Sequence, residues 1–241
     1  MPQPDRPFTT SAEDYDLIYQ GLPYDEQAAL LTAAVRTRRP DAATLLEVGC
    51  GTGQFLLRLR DSFDVEGLDI SAPMLDVARR RTPDVPLHEG DMRTFDLGKT
   101  FDAVLCLFSS IGYMVTPADL RRALANMARH VADGGVLIVD PWFAPDGMIP
   151  GYVGADLERH DKSYVMARLS ETTFDDQVSV MNLHHMVGSA EHGVRYYVER
   201  HEMGLFSDAE YARLFADLGF DAVRTDDVAW SGRSRWIAVK G

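Results

Sequence analysis

The sequence predicts an α/β fold, a doubly wound and mostly parallel sheet carrying an inserted antiparallel β meander, and three observations predict it. Short apolar runs alternate with helical stretches between Thr44 and Asp140, joined by short links. The first run, Leu45-Leu46-Glu47-Val48, stops in the alternating glycines Gly49, Gly51 and Gly53 and turns straight into a helical pattern. After Asp140 the alternation gives way to three successive strand-like segments. We read residues 1–140 together with 207–241 as the α/β domain and 141–206 as the insertion. At 241 residues, one domain with an insertion is the expected organisation.

Ahead of the first strand, Tyr15-Asp16-Leu17-Ile18-Tyr19 forms an aromatic-rich prelude that breaks at Gly21-Leu22-Pro23. It suits a cap over a ligand and a cover for the sheet edge equally. A helix is predicted from Tyr24 to Arg38, closed by Pro40. Strand one spans Thr44 to Val48, and its helix runs from Gly53 to about Asp61. Strand two, Val65 to Asp69, ends in a carboxylate; Ser71 then caps a helix with Pro73 just inside its start, reaching Arg81. Strand three, Pro86 to Glu89, leads into Gly90-Asp91-Met92. Strand four, Phe101 to Phe108, is nearly all apolar, as a strand covered on both faces must be. Helix Pro117 to His130 follows, then Asp133-Gly134-Gly135 and strand five, Val136 to Asp140.

Pro141 to Tyr152 reads as a loop, and the insertion as strands Tyr164 to Thr173, Val178 to Val187 and Val194 to Phe206. Asp175-Asp176 and Ser189 to Gly193 are their turns. Tyr196 and Val198 alternate on a strand whose edge reads as open, which predicts a homodimer. Ser207 with Glu210 at the capping-box position opens the last helix, to Leu218, and Gly219 closes it. Two strands, about Ala222 to Val228 and Arg235 to Val239, end the chain.

Totals exclude several function classes. A net charge of −13 leaves no basic stripe for a nucleic-acid polymer. No apolar run approaches the ~18 residues of a membrane span, and the polar, Pro-rich start, Met1 to Thr10, is unlike a signal peptide. Cys50 and Cys106 sit in apolar runs and read as buried free thiols of a cytoplasmic protein. The adjacent His184 and His185 point to opposite faces of a strand, and no histidine shows metal-site spacing, so no metal is expected.

The ligand of an open α/β sheet lies beyond the carboxyl ends of its strands. The residues to read are therefore the glycine loop, Asp69, Asp91-Met92, Phe108-Ser109-Ser110 and Asp140. A dinucleotide fingerprint needs its third glycine where this chain has Gln54. The E-x-G-x-G-x-G loop of S-adenosylmethionine-dependent methyltransferases is matched residue for residue from Glu47 to Gly53. Asp69 can accept both hydroxyls of a ribose, which fits NAD as well as S-adenosylmethionine. Asp91, able to accept from an adenine amino group while the Met92 backbone meets the ring edge, favours the second. Methyl transfer to an amine asks mainly for positioning and desolvation, with no covalent nucleophile.

The whole chain resembles bacterial methyltransferases that N-methylate nucleotide-linked amino sugars for antibiotic deoxysugars. The resemblance is carried by Tyr15-Asp16-Leu17-Ile18, Gly90-Asp91-Met92-Arg93 and Phe108-Ser109-Ser110-Ile111-Gly112. Pro141-Trp142, Pro150-Gly151-Tyr152-Val153 and Ser231-Gly232-Arg233 extend it. It implies a Rossmann-like class I methyltransferase fold, S-adenosylmethionine as cofactor, and a nucleotide-linked (dTDP) amino sugar as partner. On the cofactor it places Tyr15, Tyr24, Glu47, Gly49, Gly51 and Gly53, then Asp69, Ile70, Met74, Asp91, Met92 and Phe108. On the substrate it places Tyr15, Tyr113, Trp142, Tyr152, Arg168 and Ser170, with Arg233 meeting the diphosphate. Tyr15 and Tyr113 are the implied catalytic residues, Tyr113 as a hydrogen-bond partner, since a phenol near pKa ~10 is a poor base at neutral pH. Several relatives acting on 3-amino sugars carry His where this chain has Tyr113, which implies a changed sugar. Methylation of another small-molecule amine, or cofactor binding without catalysis, are the alternatives the residues leave open. Arg159 and Arg235 read equally as functional or as solvated surface charges.

Overall fold

The structure, a computed structural model, describes residues 5, 7–159, 162–175, 177–228 and 233–241, with 227, 228 and 233 described as backbone alone. Ser231, Gly232 and the side chain of Arg233 thus lie outside the described residues. Helices α1 (Tyr15–Ile18) and α2 (Tyr24–Arg38) precede β1 (Thr44–Val48). Then come α3 (Gln54–Leu59), β2 (Asp64–Asp69), α4 (Ala72–Arg81), β3 (Leu87–Glu89) and β4 (Phe101–Cys106). A 3-10 turn, Ser110–Tyr113, leads to α5 (Pro117–Arg129) and β5 (Val131–Val139). The insertion holds β6 (Val153–Arg159), β7 (Tyr164–Phe174), β8 (Val178–Ser189) and β9 (Gly193–Gly204). Helix α6 (Asp208–Asp217) and strands β10 (Phe220–Val228) and β11 (Arg233–Lys240) complete the chain.

Seven strands form one sheet in the order β10-β11-β5-β4-β1-β2-β3. All run parallel except β11, which is antiparallel to both neighbours. Alternate residues of the central strands feed two cores. Leu46, Val48, Val104, Cys106, Leu137 and Val139 pack with α5 and α6 on one face. Leu45, Leu105, Val136 and Ile138 pack with Leu31 and Val35 of α2 and Leu56 of α3 on the other. Apolar residues on both faces of β1 and β4, among them Leu45, Leu46, Val104 and Leu105, are what a sheet covered on both sides demands, each buried side chain contributing about 1.5–3 kcal/mol. The caps act as the sequence indicates. Ser71 accepts from the Met74 N–H, and Ser207 and Glu210 form a reciprocal box; Thr116, not singled out from the sequence, likewise caps α5 by accepting the Asp119 N–H.

Some boundaries differ, each for a local reason. Strand β5 runs through Asp133-Gly134-Gly135 and begins at Val131, which pairs with Phe101. A register shift between Phe101 and Ala103, with Gly134 at φ 69°, absorbs the irregularity as a bulge. Helix α3 is shorter than expected, because Gly53 at φ 78° is its N-cap and Arg60 already its C-cap. Strand β6 lies just past the expected loop, in a stretch to which the sequence assigns no element. Its Gly, Asp and Glu disfavour strand locally, but it pairs along its whole length with β7. The second sheet is antiparallel in the order β6-β7-β8-β9. The edge of β9 beside Val198 is taken by Asp5, whose N–H donates to the Val198 carbonyl at 2.8 Å, so that stretch is covered where an open edge was expected. Val198 itself is buried and Tyr196 exposed. Among the described residues no helix is long and apolar enough to cross a membrane.

Arg159 is exposed, whereas Arg235 is not the surface charge it could have been. Its guanidinium is buried against Asp140, Nε donating to Oδ1 at 2.6 Å and Nη2 to Oδ2 at 2.9 Å. Asp140 Oδ2 also accepts the Phe108 N–H at 3.2 Å, so the pair ties the ends of β4 and β5 to the start of β11. Arg235→Met strands a buried carboxylate and is expected to destabilise the protein by about 3–5 kcal/mol, read from urea unfolding.

Candidate active site

The two sheets enclose a cavity of about 550 Å³, a size suited to small ligands. Its floor is the carboxyl end of the parallel sheet at β1 and β4, where strand order reverses. Its roof is the inner face of the second sheet. One wall is the N-terminal segment from Phe8 to Tyr24.

The floor begins at the glycine loop. Gly49 and Gly51 have φ values of 75° and 53°, a region in which an L side chain is strained. A Cβ at Gly49 would lie 2.7 Å from the Ser110 Cβ, while one at Gly51 would meet nothing within 4 Å. Gly49 thus lets the loop touch the segment after β4, and Gly51 leaves its backbone open. Asp69, at the end of β2, holds the loop: Oδ2 accepts the Gly51 N–H and Oδ1 the Ser71 N–H, both at 2.8 Å. Burial raises the Asp69 pKa, and these backbone donors oppose the rise. Glu47 lies one layer deeper, 3% exposed, with Oε2 buried and lacking a hydrogen-bond partner among the described residues. Burial, and then the neighbouring Asp69, push its carboxyl well above the usual range.

Aromatic rings crowd the space above the loop. Tyr15 and Tyr19 lie 4.7 Å apart by ring centroids, and Tyr19 meets Phe108 edge-on at 5.0 Å. Phe8 meets both Tyr15 and Tyr113 at 5.7 Å. Phe108 and Ser109 follow β4 with φ of 54° and 64°, two strained non-glycine residues held by Asp140 and by the Ser109 hydroxyl donating to the Pro141 carbonyl. Such strain, about 1–3 kcal/mol per residue, concentrates at functional sites. Asp16 fastens α1 to the floor: Thr52 Oγ1 donates to it at 2.7 Å, Gln54 Nε2 at 3.0 Å, and Arg81 pairs with it.

Of the residues singled out from the sequence, Tyr15, Tyr24, Glu47, Gly49, Gly51 and Asp69 line the cavity, as do Met74 and Phe108. So do Tyr113, Trp142, Tyr152, Arg168 and Ser170 on its substrate side. Gly53, Ile70, Asp91 and Met92 stand outside the lining. Gly53 caps α3, Ile70 is 67% exposed, and Met92 packs against the core under α5. Asp91 is gripped by Arg93, whose Nη2 donates at 2.5 Å and whose Nε donates to both carboxylate oxygens at 3.0 Å. These bonds hold its carboxyl below the usual range. Arg168 donates to Asp156 and to the Tyr19 hydroxyl.

The structure adds lining residues that motif reading passed over, Phe8, His185, Glu199 and His201, and places Tyr19 of the aromatic prelude on the lining as well. The alternation Tyr197, Glu199, His201, Met203 on β9 was the available signal, since alternate residues share one face. His185 is 1% exposed, stacks on Tyr197 at 4.6 Å, and has no hydrogen bond to either ring nitrogen among the described residues. Burial brings its pKa down to about 4, so it is neutral. Both cysteines are buried, and burial raises their thiol pKa values. Among the described residues no group of three or more His, Cys, Asp or Glu is placed to hold a metal ion.

Comparison with known proteins converges on one family. The methyltransferase-domain family model matches residues 45–135. The chain is 44% identical over 233 residues to the dTDP-3-amino-3,6-dideoxy-alpha-D-glucopyranose N,N-dimethyltransferase of Streptomyces fradiae, covering 95% of this chain and 91% of the relative. It is 40% identical to the dTDP-4-amino-2,3,4,6-tetradeoxy-D-glucose N,N-dimethyltransferase of Saccharopolyspora spinosa, covering 95% and 92%. Among solved structures it resembles an amino pentose methyltransferase from Micromonospora echinaspora involved in calicheamicin biosynthesis, solved with S-adenosylmethionine bound. The TM-score is 0.85 and the identity 39%, over 100% of both chains.

Glu47 carries a stability consequence. A raised carboxyl pKa favours folding below the ordinary carboxylate range and loses that contribution as pH rises through the folded-state value. Glu47→Gln removes the buried charge, so the melting temperature of the ligand-free protein is expected to rise, more at about pH 8 than at about pH 5. Calorimetric melting at the two pH values checks it.

Proposed function

The chain belongs to the family of class I S-adenosylmethionine-dependent sugar N-methyltransferases, and on that premise we propose that it methylates the amino group of a dTDP-linked amino deoxysugar. The observation that carries the reading is the unpartnered, buried Glu47 oxygen beneath an open glycine backbone and an aromatic wall. A buried carboxylate lacking a partner calls for a cation, and aromatic faces suit one. The methionine end of S-adenosylmethionine carries an ammonium and a sulfonium, so the residues present fit the cofactor. When bound, it supplies an electrophilic methyl group on that sulfonium.

The chain's own part is to bind, orient and exclude water. In this reading Gly49 and Gly51 offer backbone to the cofactor, Asp69 keeps lone pairs for ribose hydroxyls beyond those it gives to Gly51 and Ser71, and Tyr15 and Tyr24 close over it. Asp91 and Met92 would serve the adenine from just outside the cavity lining, with Gly53 and Ile70 supporting the loop ends. Trp142 and Tyr152 wall the sugar, and Arg168 with Ser170 faces the nucleotide. Arg233, at the start of β11, meets the diphosphate, for which an Arg fork is suited. That supplies local positive charge in a chain of net charge −13. Tyr15 and Tyr113 hold the amine in line, and the rate comes from proximity and desolvation. The same reading makes the enzyme a cytoplasmic homodimer joined through the outer face of the second sheet, where Leu157, Leu169, Met186 and Tyr196 are exposed.

Purified protein with S-adenosylmethionine and a panel of 3-amino and 4-amino dTDP-sugars is expected to add methyl groups to at least one, read by mass spectrometry. Methylation of an unrelated acceptor alone would refute the reading. Arg233→Ala is expected to raise KM for the nucleotide sugar about tenfold or more, the loss of a charge-assisted bond of about 1.5–3 kcal/mol, with cofactor affinity unchanged. Sedimentation showing monomer at micromolar concentration would remove the dimer.

A further inference from the structure

Between the floor and the roof of the cavity runs a chain of polar groups that positioning alone does not require. The Tyr113 hydroxyl, rising from the 3-10 turn after β4, lies 2.7 Å from His201 Nδ1 on β9. The other ring nitrogen, Nε2, lies 3.5 Å from Glu199 Oε2, at ion-pair distance but without hydrogen-bond geometry. The Ser11 hydroxyl donates to that same oxygen at 2.8 Å, and the Ser11 N–H donates to Oε1 at 3.2 Å. Glu199 and His201 are 1% and 3% exposed, and all four residues border the cavity.

A buried carboxylate is costly unless it is paired and hydrogen-bonded. Burial pushes Glu199 upward, but His201 and Ser11 outweigh burial and hold its carboxyl below the usual range. The two Ser11 donors supply the hydrogen bonds a buried carboxylate needs, and Glu199 is set behind an imidazole whose remaining nitrogen faces a phenol in the substrate space. Other charged and titratable groups face this line from every side. Tyr19, just past α1, Glu199 and Asp69, at the end of β2, act on Tyr113, which in turn acts on Tyr15. On β8, His185 faces Glu199, His201, Arg168 and Asp14. Among these, burial keeps His185 neutral and raises the pKa values of Tyr15 and Tyr113, so none of the three competes with His201 as an acceptor.

We propose that Tyr113, His201 and Glu199 form a proton relay that takes the proton from the substrate ammonium and so exposes the nitrogen lone pair for methylation. This rests on the amine-methylation reading above. An amino sugar arrives at neutral pH largely as an ammonium ion, which has no lone pair to offer. Its N–H bond breaks toward the Tyr113 oxygen while the Tyr113 O–H bond breaks toward His201 Nδ1. One proton enters the phenol as another leaves it, the phenol stays neutral, and no electron is gained or lost. The new imidazolium lies against Glu199, which positions and stabilises it. The nitrogen lone pair then forms the N–C bond as the methyl–sulfur bond breaks, its electrons staying on sulfur.

The test is the pH dependence of methyl transfer to a dTDP-amino sugar by the unaltered enzyme, His201→Gln and Tyr113→Phe. Either substitution removes the acceptor path. The loss in kcat is expected to be about a hundredfold larger at about pH 6.5 than at about pH 9.5, where solvent supplies the free amine, with any loss of substrate binding by Tyr113→Phe appearing as a rise in KM at both pH values. Tyr113→Phe removes one oxygen and carries the test should His201→Gln fail to fold. A loss equal at every pH, which a merely structural role would give, overturns the relay, and so does the absence of loss in both variants. An unaltered enzyme that methylates no amino sugar overturns the functional reading first and the relay with it.

Discussion

The carboxylate of Asp69 is the constraint on which the rest of the site depends. One oxygen takes the Gly51 N–H and the other the Ser71 N–H, so a single buried group sets the loop after β1 against the helix start after β2. Without it, the Gly51 N–H in the positive-φ turn loses its side-chain acceptor, and the loop keeps the backbone bonds of Gly49 and Cys50 to Leu68. The price is a carboxylate held in a largely buried place, and Asp69 adds to the burial that pushes the Glu47 carboxyl beneath it upward. A site that keeps two such carboxylates in the absence of ligand trades stability for affinity, a recurrent compromise where binding needs preorganised charge.

The second sheet turns that floor into a chamber. Its four strands carry Arg168, His185, Glu199 and His201 on the face toward the floor, while Leu157, Leu169 and Met186 look outward. The N-terminal segment closes the gap between the two layers. Asp14, 2% exposed, accepts from the hydroxyls of Tyr164 and Tyr197 and from Arg195, so the segment is bound to the roof. Asp16, two residues on, is bound to the floor through Thr52, Gln54 and Arg81. Tyr15 stands between these two anchors. A wall fastened to both layers excludes water from the space where an amine and a sulfonium meet, and a low-dielectric chamber strengthens each charge inside it.

The buried Arg235–Asp140 pair shows how the sheet serves the site at a distance. Asp140 also holds the Phe108 N–H, and Phe108 contributes its ring to the wall beside Tyr19. The antiparallel strand β11 therefore helps fix the backbone after β4, which is strained at Phe108 and Ser109. Removing strain of this kind is a common route to stability that costs function.

Sequence alone determined the parallel sheet, its glycine loop and the acidic end of β2, because each is a local signal: an apolar run, a turn, a capped helix. It missed β6, whose residues Val153 to Arg159 become a strand only by pairing with β7. It also could not show that Asp91 is held by Arg93 just outside the cavity lining, a contact made by the fold around it. Only the tertiary structure decided who meets whom across the chamber. Glu199 and His201 share a face by strand alternation, but Tyr113 lies 88 residues before its histidine and Ser11 188 before its glutamate. Nothing in either local stretch encodes the other. The two come together because the packing of the inserted sheet over the strand ends closes those long loops and leaves buried polar groups no partner but each other.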